Sequence, residues 1–174
     1  MKHIFVFDQD KCSACSACMM GCMDQNDIDL AAGDQCYRQT FDNEIPLADG
    51  STYCAYISAA CMHCTDAPCI TACPVGCLSK DPETGFTVYD NTNCIGCKSC
   101  AMACPFGAPR YRASDGKMVK CDGCNERVKH GLQPACVCAC SFGALTCVTE
   151  DEYKASGSSK GCNFLLEQLA LKKK

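Results

Sequence analysis

Four runs of closely spaced cysteines are the part of this sequence whose residue type and spacing could do chemistry. Twenty-two of the 174 residues are cysteine. Sixteen of them fall into runs that approach the pattern Cys-x2-Cys-x2-Cys-x3-Cys-Pro, in which the fourth cysteine binds the other cluster of an iron–sulfur pair. Thiolates at this density and spacing predict [4Fe–4S] clusters, and the chemistry of such clusters is electron transfer.

The four runs follow this pattern to different degrees. The third run matches every position, including Pro105, whereas the first lacks only the proline. The second run has four residues before its third cysteine, and the fourth run has eleven residues there and Ser141 in place of proline. In chain order the runs are Cys12, Cys15, Cys18 and Cys22; Cys61, Cys64, Cys69 and Cys73; Cys94, Cys97, Cys100 and Cys104; and Cys121, Cys124, Cys136 and Cys140.

Disulfides and zinc are the competing explanations for so many cysteines. Disulfides suit small secreted chains that carry a signal peptide. The N-terminal apolar run here, Ile4 to Phe7, is too short to be a signal peptide. Zinc sites usually take cysteines in pairs rather than in runs of three or four. Iron–sulfur clusters fit the runs best, and a zinc-rich interaction scaffold is the alternative from a different functional class.

Composition excludes several other classes of protein. Only 29 of the 174 residues are Leu, Ile, Val or Phe, and none is Trp, so an ordinary apolar core is not expected. The formal charge of −4 argues against a nucleic-acid-binding protein. No stretch approaches the roughly 20 apolar residues of a membrane span. Because bound clusters would have to replace the missing core, we expect the chain without iron to be largely unfolded.

Short strands, turns and helices must position the cysteine loops. Residues rich in β-formers precede runs one and three, at 4–8 and 86–90. Turn residues predict one hairpin over 78–89 and a second over 110–120. The repeated order of strand, cluster loop, short helix and strand predicts an α+β, ferredoxin-like fold with two clusters in each unit.

Residues 3–148 resemble the iron–sulfur subunits of the dimethyl sulfoxide reductase and polysulfide reductase group. Those subunits are the four-cluster ferredoxin partners of molybdenum or tungsten bis-pterin oxidoreductases. The most specific similarity runs from Cys94 to Arg127, and the segments 61–69 and 134–140 are also similar. The resemblance implies an electron-transfer subunit with two ferredoxin-like 2[4Fe–4S] units.

The runs and the resemblance together predict a division of the chain. The first unit would combine runs one and four, and the second would combine runs two and three. The Ser-Gly stretch near 156–159 and three terminal lysines suggest a tail whose helix either caps the chain or docks a partner. The predicted parts are 1–22 with 115–149 for the first unit, 55–114 for the second, 23–54 for a connecting insertion and 150–174 for the tail.

The resemblance also implies how the runs share their clusters. Each run of a pair would lend its fourth cysteine to the other run, and spacing alone supports only that exchange. Because all sixteen ligand positions are cysteine, we expect four complete [4Fe–4S] clusters. The implied ligand sets are Cys12, Cys15, Cys18 and Cys140 for site a; Cys121, Cys124, Cys136 and Cys22 for site b; Cys61, Cys64, Cys69 and Cys104 for site c; and Cys94, Cys97, Cys100 and Cys73 for site d.

Clusters with four cysteine ligands leave no iron open to substrate, so the chain is expected to have no catalytic site. The resemblance implies a molybdenum or tungsten bis-pterin catalytic subunit as one partner. The other would be a quinol-oxidising membrane subunit or a soluble carrier. A free-standing polyferredoxin, or the equivalent subunit of a formate-linked hydrogenase complex, is the alternative. With no signal of its own, the chain is expected to assemble in the cytoplasm and to reach a membrane through partners.

Six further cysteines lie outside the ligand sets and indicate a reducing, anaerobic setting. We expect Cys54 and Cys147 to lie in strands and, like Cys77, to be buried, and we expect the first and last of the six to be exposed. Cys138 stands between two predicted ligands and could in principle replace one, but the three-residue gap seen elsewhere favours Cys136 with Cys140. The six are Cys36, Cys54, Cys77, Cys138, Cys147 and Cys162.

Other polar residues lie among the runs. His63 could hydrogen-bond a sulfur, whereas His3 and His130 are expected at ordinary surface or packing positions. Several basic residues crowd around runs three and four, and for each of them a solvated face that offsets charge is favoured over a direct effect on a cluster or partner. They are Lys98, Arg110, Arg112, Lys117 and Lys120.

Overall fold

The structure is a computed structural model that describes residues 2–156. Within that range the chain forms short antiparallel strand pairs and short helices, which confirms the predicted α+β class. The predicted terminal helix and Cys162 lie outside the described residues. The helices are α1 (Ala17–Gln25), α2 (Pro68–Thr71), α3 (Ser99–Ala103), α4 (Asn125–Lys129), α5 (Ala135–Cys138) and α6 (Glu150–Ala155).

One strand pair joins the two ends of the described chain. Strand β1 (His3–Phe7) runs antiparallel to β8 (Leu145–Thr149), with Phe5 opposite Cys147. The loop of run one follows β1 directly, and Cys140 lies shortly before β8. The pairing therefore brings run one beside the end of run four.

The two predicted hairpins are both present. Strand β4 (Leu78–Lys80) pairs with β5 (Thr87–Tyr89), and β6 (Arg110–Tyr111) pairs with β7 (Met118–Val119). In the first turn the Asp81 carboxylate accepts hydrogen bonds from the following backbone, as turn aspartates do. The hairpins link run two to run three and run three to run four.

A third hairpin covers the second half of the predicted connecting insertion and the first residues of the second unit. Strand β2 (Gln39–Pro46) pairs with β3 (Thr52–Ala59), and Asp49 accepts a hydrogen bond from the Ser51 amide in the turn between them. Most of β2 is exposed, so this strand carries no buried apolar alternation from which it could have been predicted.

Two of the expectations for the additional cysteines are wrong. Cys54 does lie in a strand, β3, but it is exposed, because it alternates with the buried Ala55 and pairs with the exposed Glu44. Cys36 is half-buried rather than exposed. Cys77 and Cys147 are buried as expected, and both pack in small apolar clusters.

The interior of the described chain is made largely of cysteines and isolated large side chains. One cluster packs Leu78 and Met118 against three cysteines, and another packs Leu145 against two. Phe86 has no exposed surface and lies against Gly123, where a Cβ atom would overlap the Phe86 ring. The shortage of aliphatic residues in the sequence therefore appears directly as a cysteine-lined interior.

Candidate iron–sulfur sites

One cavity collects cysteines from runs two and three. Its lining contains Cys73 of run two together with Cys94, Cys97 and Cys100 of run three. Hairpin β4–β5 connects the two runs and reverses the chain, so that the end of run two returns beside the start of run three. These four cysteines are the set predicted for site d, and Cys77, which lies outside the predicted sets, also lines the cavity.

A second cavity collects cysteines from runs one and four. It is lined by Cys12, Cys15 and Cys18 together with Cys140. The pairing of β1 with β8 brings run one close to Cys140, although most of the chain separates them in sequence. These four cysteines are the set predicted for site a.

The cysteines predicted for site b lie within electrostatic reach of one another. Burial, reinforced by the neighbouring Cys136 and Cys124 thiolates and opposed by the Arg38 charge, raises the pKa of the Cys22 thiol to about 12. Burial also raises the pKa of Cys121, on which Cys22 acts in the same direction. Thiols that resist ionisation in this way must release their protons to solvent or a base when they bind a metal centre.

The cysteines predicted for site c are grouped in the same manner. Burial raises the pKa of the Cys69 thiol; the Lys120 ammonium opposes this, and the Cys61 and Cys104 thiolates reinforce it. Cys64 shares a neighbour with this group, because the thiolates of Cys61, Cys64 and Cys69 all act on the Lys80 ammonium.

All four loops share one backbone geometry. In each run the residue before the second cysteine has a positive φ, and in runs one and three the residue after it does too. Left-handed residues in such loops turn successive N–H groups toward one side, which forms a concave site for an anion. The residues are Ala14 (φ 53°), Ser16 (63°), His63 (46°), Gly96 (65°), Lys98 (65°) and Gly123 (80°).

The third cysteine of each run occupies the same place in a helix. It is the second residue of a short helix in every case, so the unpaired N–H groups of a first helical turn lie beside it. The four cysteines and their helices are Cys18 in α1, Cys69 in α2, Cys100 in α3 and Cys136 in α5.

The fourth cysteines of runs one, two and three accept hydrogen bonds on sulfur from the residue four positions on. The Cys77 amide donates to Cys73 Sγ at 3.2 Å, and the Ala108 amide donates to Cys104 Sγ at 3.4 Å. In run one the side-chain amide of Asn26 donates to Cys22 Sγ at 3.6 Å instead. Such N–H groups stabilise thiolate charge and help to set a cluster's reduction potential.

A buried lysine and a half-buried histidine lie between the cysteines of sites b and c. Lys120 Nζ donates to Cys61 Sγ at 3.7 Å, and His63 Nε2 lies 3.7 Å from Cys121 Sγ. Burial, together with the charges of Lys120 and two other cations, holds the pKa of His63 well below its ordinary value. The expectation that His63 contacts a sulfur is confirmed, although the sulfur belongs to run four rather than to run two.

Lys120 overturns the expectation of a solvated face. It is 1% exposed, and its ammonium lies among sulfur and carbonyl acceptors. The other four basic residues fit that expectation better, since Lys98 and Arg112 are exposed and the remaining two are half-buried with polar partners. His130 is at the surface, and His3 packs 6.0 Å from the Phe86 ring, as expected.

Arg38 is a buried residue of the sites that the sequence did not reveal. It is 4% exposed, and its Nη1 donates at 3.0 Å to the Ser58 hydroxyl, which lies 3.3 Å from Cys18 Sγ. Burial opposes its charge, but the Cys136, Cys121, Cys18 and Cys22 thiolates outweigh burial and raise its pKa. Its position in a stretch that looks like a polar linker gives no signal of this burial.

Two negative findings concern the described residues alone. No three or more His, Cys, Asp or Glu side chains in residues 2–156 converge as the ligands of a single metal ion would. None of the helices in that range has the length and apolar character needed to cross a bilayer.

Comparisons with known proteins match this chemistry. The family described as 4Fe-4S dicluster domain matches residues 52–150. The chain is 39% identical over 155 residues to the B subunit of the anaerobic dimethyl sulfoxide reductase of Haemophilus influenzae, covering 86% of this chain and 75% of that protein. The corresponding B subunit of Escherichia coli K12 is 36% identical over 160 residues, with the same coverage. The formate dehydrogenase iron-sulfur subunit of Haemophilus influenzae is 32% identical over 163 residues, covering 86% of this chain and 52% of that protein.

The cysteine chemistry and these similarities give the cofactor and the role. The chain carries four [4Fe–4S] clusters, transfers electrons and has no catalytic site of its own. The zinc scaffold is thereby set aside, and the resemblance seen in the motifs is confirmed. The protein belongs to the 4Fe-4S dicluster family, as an iron–sulfur subunit of the dimethyl sulfoxide reductase group.

Proposed function

We propose that the four cysteine sets, sites a to d, each bind one [4Fe–4S] cluster and that electrons pass along them in the order d, c, b, a or its reverse. The observation that carries this proposal is the cavity in which Cys12, Cys15 and Cys18 meet Cys140. Its lining contains the three first cysteines of one run and the fourth of another, which is the exchange that the spacing predicts.

The exposure of the cysteines supports this order. Sites a and d each contain one exposed cysteine, Cys15 and Cys97 respectively. Site b has no exposed member, and neither does site c. Sites a and d are therefore assigned as the ends at which electrons enter and leave, with the less exposed sites b and c between them.

The chain contributes ligands, shielding and fixed dipoles, and the bound clusters supply the one-electron chemistry. Four thiolates at each site fill the ligand positions, so no substrate reaches the iron. Backbone amides such as those of Cys77 and Ala108 donate to ligand sulfurs and need not reorganise when charge moves.

The pairing of sites also supports a division into two ferredoxin-like units, residues 1–22 with 115–149 and residues 55–114. Several polar contacts cross that division. The His3 amide donates to the Thr84 carbonyl at 2.8 Å, and Thr84 Oγ1 donates to Asn125 Oδ1 at 2.6 Å. The two units would therefore hold their inner sites in a fixed relation.

The partner at one end is a molybdenum or tungsten bis-pterin catalytic subunit, and the other partner is a quinol-oxidising membrane subunit or a soluble carrier. The names of the relatives, a dimethyl sulfoxide reductase B subunit and a formate dehydrogenase subunit, support this class of complex. A partner of this kind would also bring the chain to a membrane.

Matched cysteine variants test the ligand sets. Cys140→Ala should lose the spectroscopic signal of one cluster, whereas Cys138→Ala, an exposed cysteine two residues away, should keep all four. Iron analysis and electron paramagnetic resonance of the anaerobically purified chain measure this, with about sixteen irons expected for four cubanes. Equal cluster loss in both variants, or loss in neither, would contradict the assignment of site a.

Purification of the native assembly tests the partner. Co-purification with a large chain containing molybdenum or tungsten is expected. An assembly that contains nickel, or a chain that purifies alone and exchanges electrons with soluble enzymes, would instead support the hydrogenase-type subunit or the free-standing polyferredoxin.

A further inference from the structure

The side chains of Lys120 and His63 each reach from the loop of one inner site to a cysteine of the other. Lys120 immediately precedes Cys121 of site b, yet its Nζ donates to Cys61 Sγ of site c at 3.7 Å. His63 immediately precedes Cys64 of site c, yet its Nε2 lies 3.7 Å from Cys121 Sγ of site b. The two contacts therefore cross at the junction of the two sites.

The ammonium of Lys120 is fully engaged at this position. Besides Cys61 it donates to the Thr87 carbonyl and, at 2.7 Å, to the Cys121 carbonyl, which accounts for its three N–H bonds. With 1% of its surface exposed, water screens its charge very little. A positive charge held in this way acts on both neighbouring sites.

The hydrogen bonding of His63 fixes which ring nitrogen faces the sulfur as a donor. The Thr87 amide donates to Nδ1 at 3.0 Å, so the neutral ring carries its proton on Nε2. Nε2–H then points to Cys121 Sγ. The ring is held in place by Phe86, whose centroid lies 4.7 Å away, and by Phe5 at 5.9 Å.

We propose that Lys120 and His63 form a crossed bridge that raises the reduction potentials of the two inner clusters. The inference rests on the proposed assignment of Cys61 to site c and Cys121 to site b. Reduction adds a negative charge to a buried site, which is costly without a nearby cation or hydrogen-bond donor. The bridge supplies both, so the inner pair accepts electrons and does not form a barrier between the exposed ends.

The first test substitutes the charge. Lys120→Met should lower the midpoint potentials of the two inner clusters and leave the outer two unchanged in an anaerobic redox titration followed by electron paramagnetic resonance. Lys11→Met is the matched control, because Lys11 also immediately precedes a ligand cysteine but is exposed, and it should shift no potential measurably. The Cys140→Ala and Cys73→Ala variants identify the outer two signals, which leaves the inner two by difference.

Two further variants separate the bridge from a purely structural role. Lys120→Gln keeps a hydrogen-bond donor without the charge and should still lower both inner potentials. His63→Asn should lower the potential of site b alone, and asparagine tolerates the left-handed backbone at this position. A structural link alone would change thermal stability but no potential.

The outcomes distinguish this inference from the proposed ligand sets. About sixteen irons per chain with unchanged inner potentials in these variants would overturn the bridge and leave the ligand sets intact. Fewer clusters in the unsubstituted chain would overturn the ligand sets themselves. Loss of iron in both Lys120 variants would assign Lys120 to cluster retention and would also overturn the inference.

Discussion

Asp81 and Lys129 form an ion pair of 2.6 Å between hairpin β4–β5 and helix α4, with the carboxylate almost fully buried. The same carboxylate accepts from Asn125 Nδ2 at 3.0 Å and from the Thr84 amide at 3.0 Å. The hairpin belongs to the second predicted unit, and α4 follows Cys124 of the first. This pair is thus one of several polar connections across the proposed division.

Asp81→Asn is expected to lower the stability of the fold by about 2 kcal/mol, because it removes the charge from a buried acceptor of several hydrogen bonds. The midpoint of thermal loss of the visible iron–sulfur absorption, measured anaerobically, should fall. Asp115→Asn is the control, since Asp115 pairs with exposed Arg112 at 2.9 Å and should cost about 0–1 kcal/mol. A similar effect of the two substitutions would contradict a special role for Asp81.

The same pair predicts a dependence on alkaline pH. The Asp81 carboxylate raises the pKa of the Lys129 ammonium above its ordinary value. A group with a raised pKa contributes its stability fully below the unfolded pKa, about 10.4 for lysine, and loses it as pH rises through the folded pKa. The stability difference between the unsubstituted chain and Lys129→Met, measured by thermal loss of visible absorption, should therefore shrink above about pH 10.4. A difference that stays constant through that range would contradict the linkage.

Gly123→Ala is expected to be strongly destabilising. The new Cβ would overlap the fully buried Phe86 ring, and the residue has φ +80°. Overpacking and backbone strain together predict a loss of about 2–4 kcal/mol, seen as a lower thermal midpoint and reduced iron retention. Gly131→Ala serves as the comparison, because it has φ +73° with open space around it and should cost only about 1–2 kcal/mol. If both substitutions lower the stability equally, the contact with Phe86 does not add to the cost of the new Cβ.

Removal of iron should unfold most of the chain. Cysteine is the commonest residue at the buried apolar positions of the described chain, so little other apolar burial remains when the metal is gone. Treatment with a strong iron chelator under reducing conditions should abolish most of the far-ultraviolet circular dichroism. A near-native spectrum at negligible iron content would show that the polypeptide core suffices.

The parts of the fold that were predictable are those determined by local residue chemistry. Turn residues such as Asp81 and Gly116 define the two hairpins, and β-formers before Cys12 define β1. Hairpin β2–β3 was missed because its exposed strand shows no apolar alternation. Strand β3 was expected at Cys54, but its inward face could not be assigned without the partner strand.

The polar residues around the sites were harder to predict, because their burial depends on distant parts of the chain. Lys120 follows the half-buried Lys117 by three positions, and nothing nearby in sequence distinguishes it as fully buried. Arg38 reaches Ser58 and the thiols of two runs only after β2 pairs with β3. His63 was noticed because it lies within a cysteine run, although its partner sulfur was not predictable.

The joining of Cys12 to Cys140 in one cavity has a consequence for biosynthesis. A ribosome releases the N-terminal residues first, so the cavity that needs Cys140 cannot close until nearly all of residues 2–156 have emerged. The four cysteines of the other cavity, Cys73 and Cys94 to Cys100, have all been synthesised roughly 40 residues sooner, and they close a much shorter loop. Iron is therefore expected to bind first at the site in the middle of the polypeptide. The site that joins run one to Cys140 would be filled last.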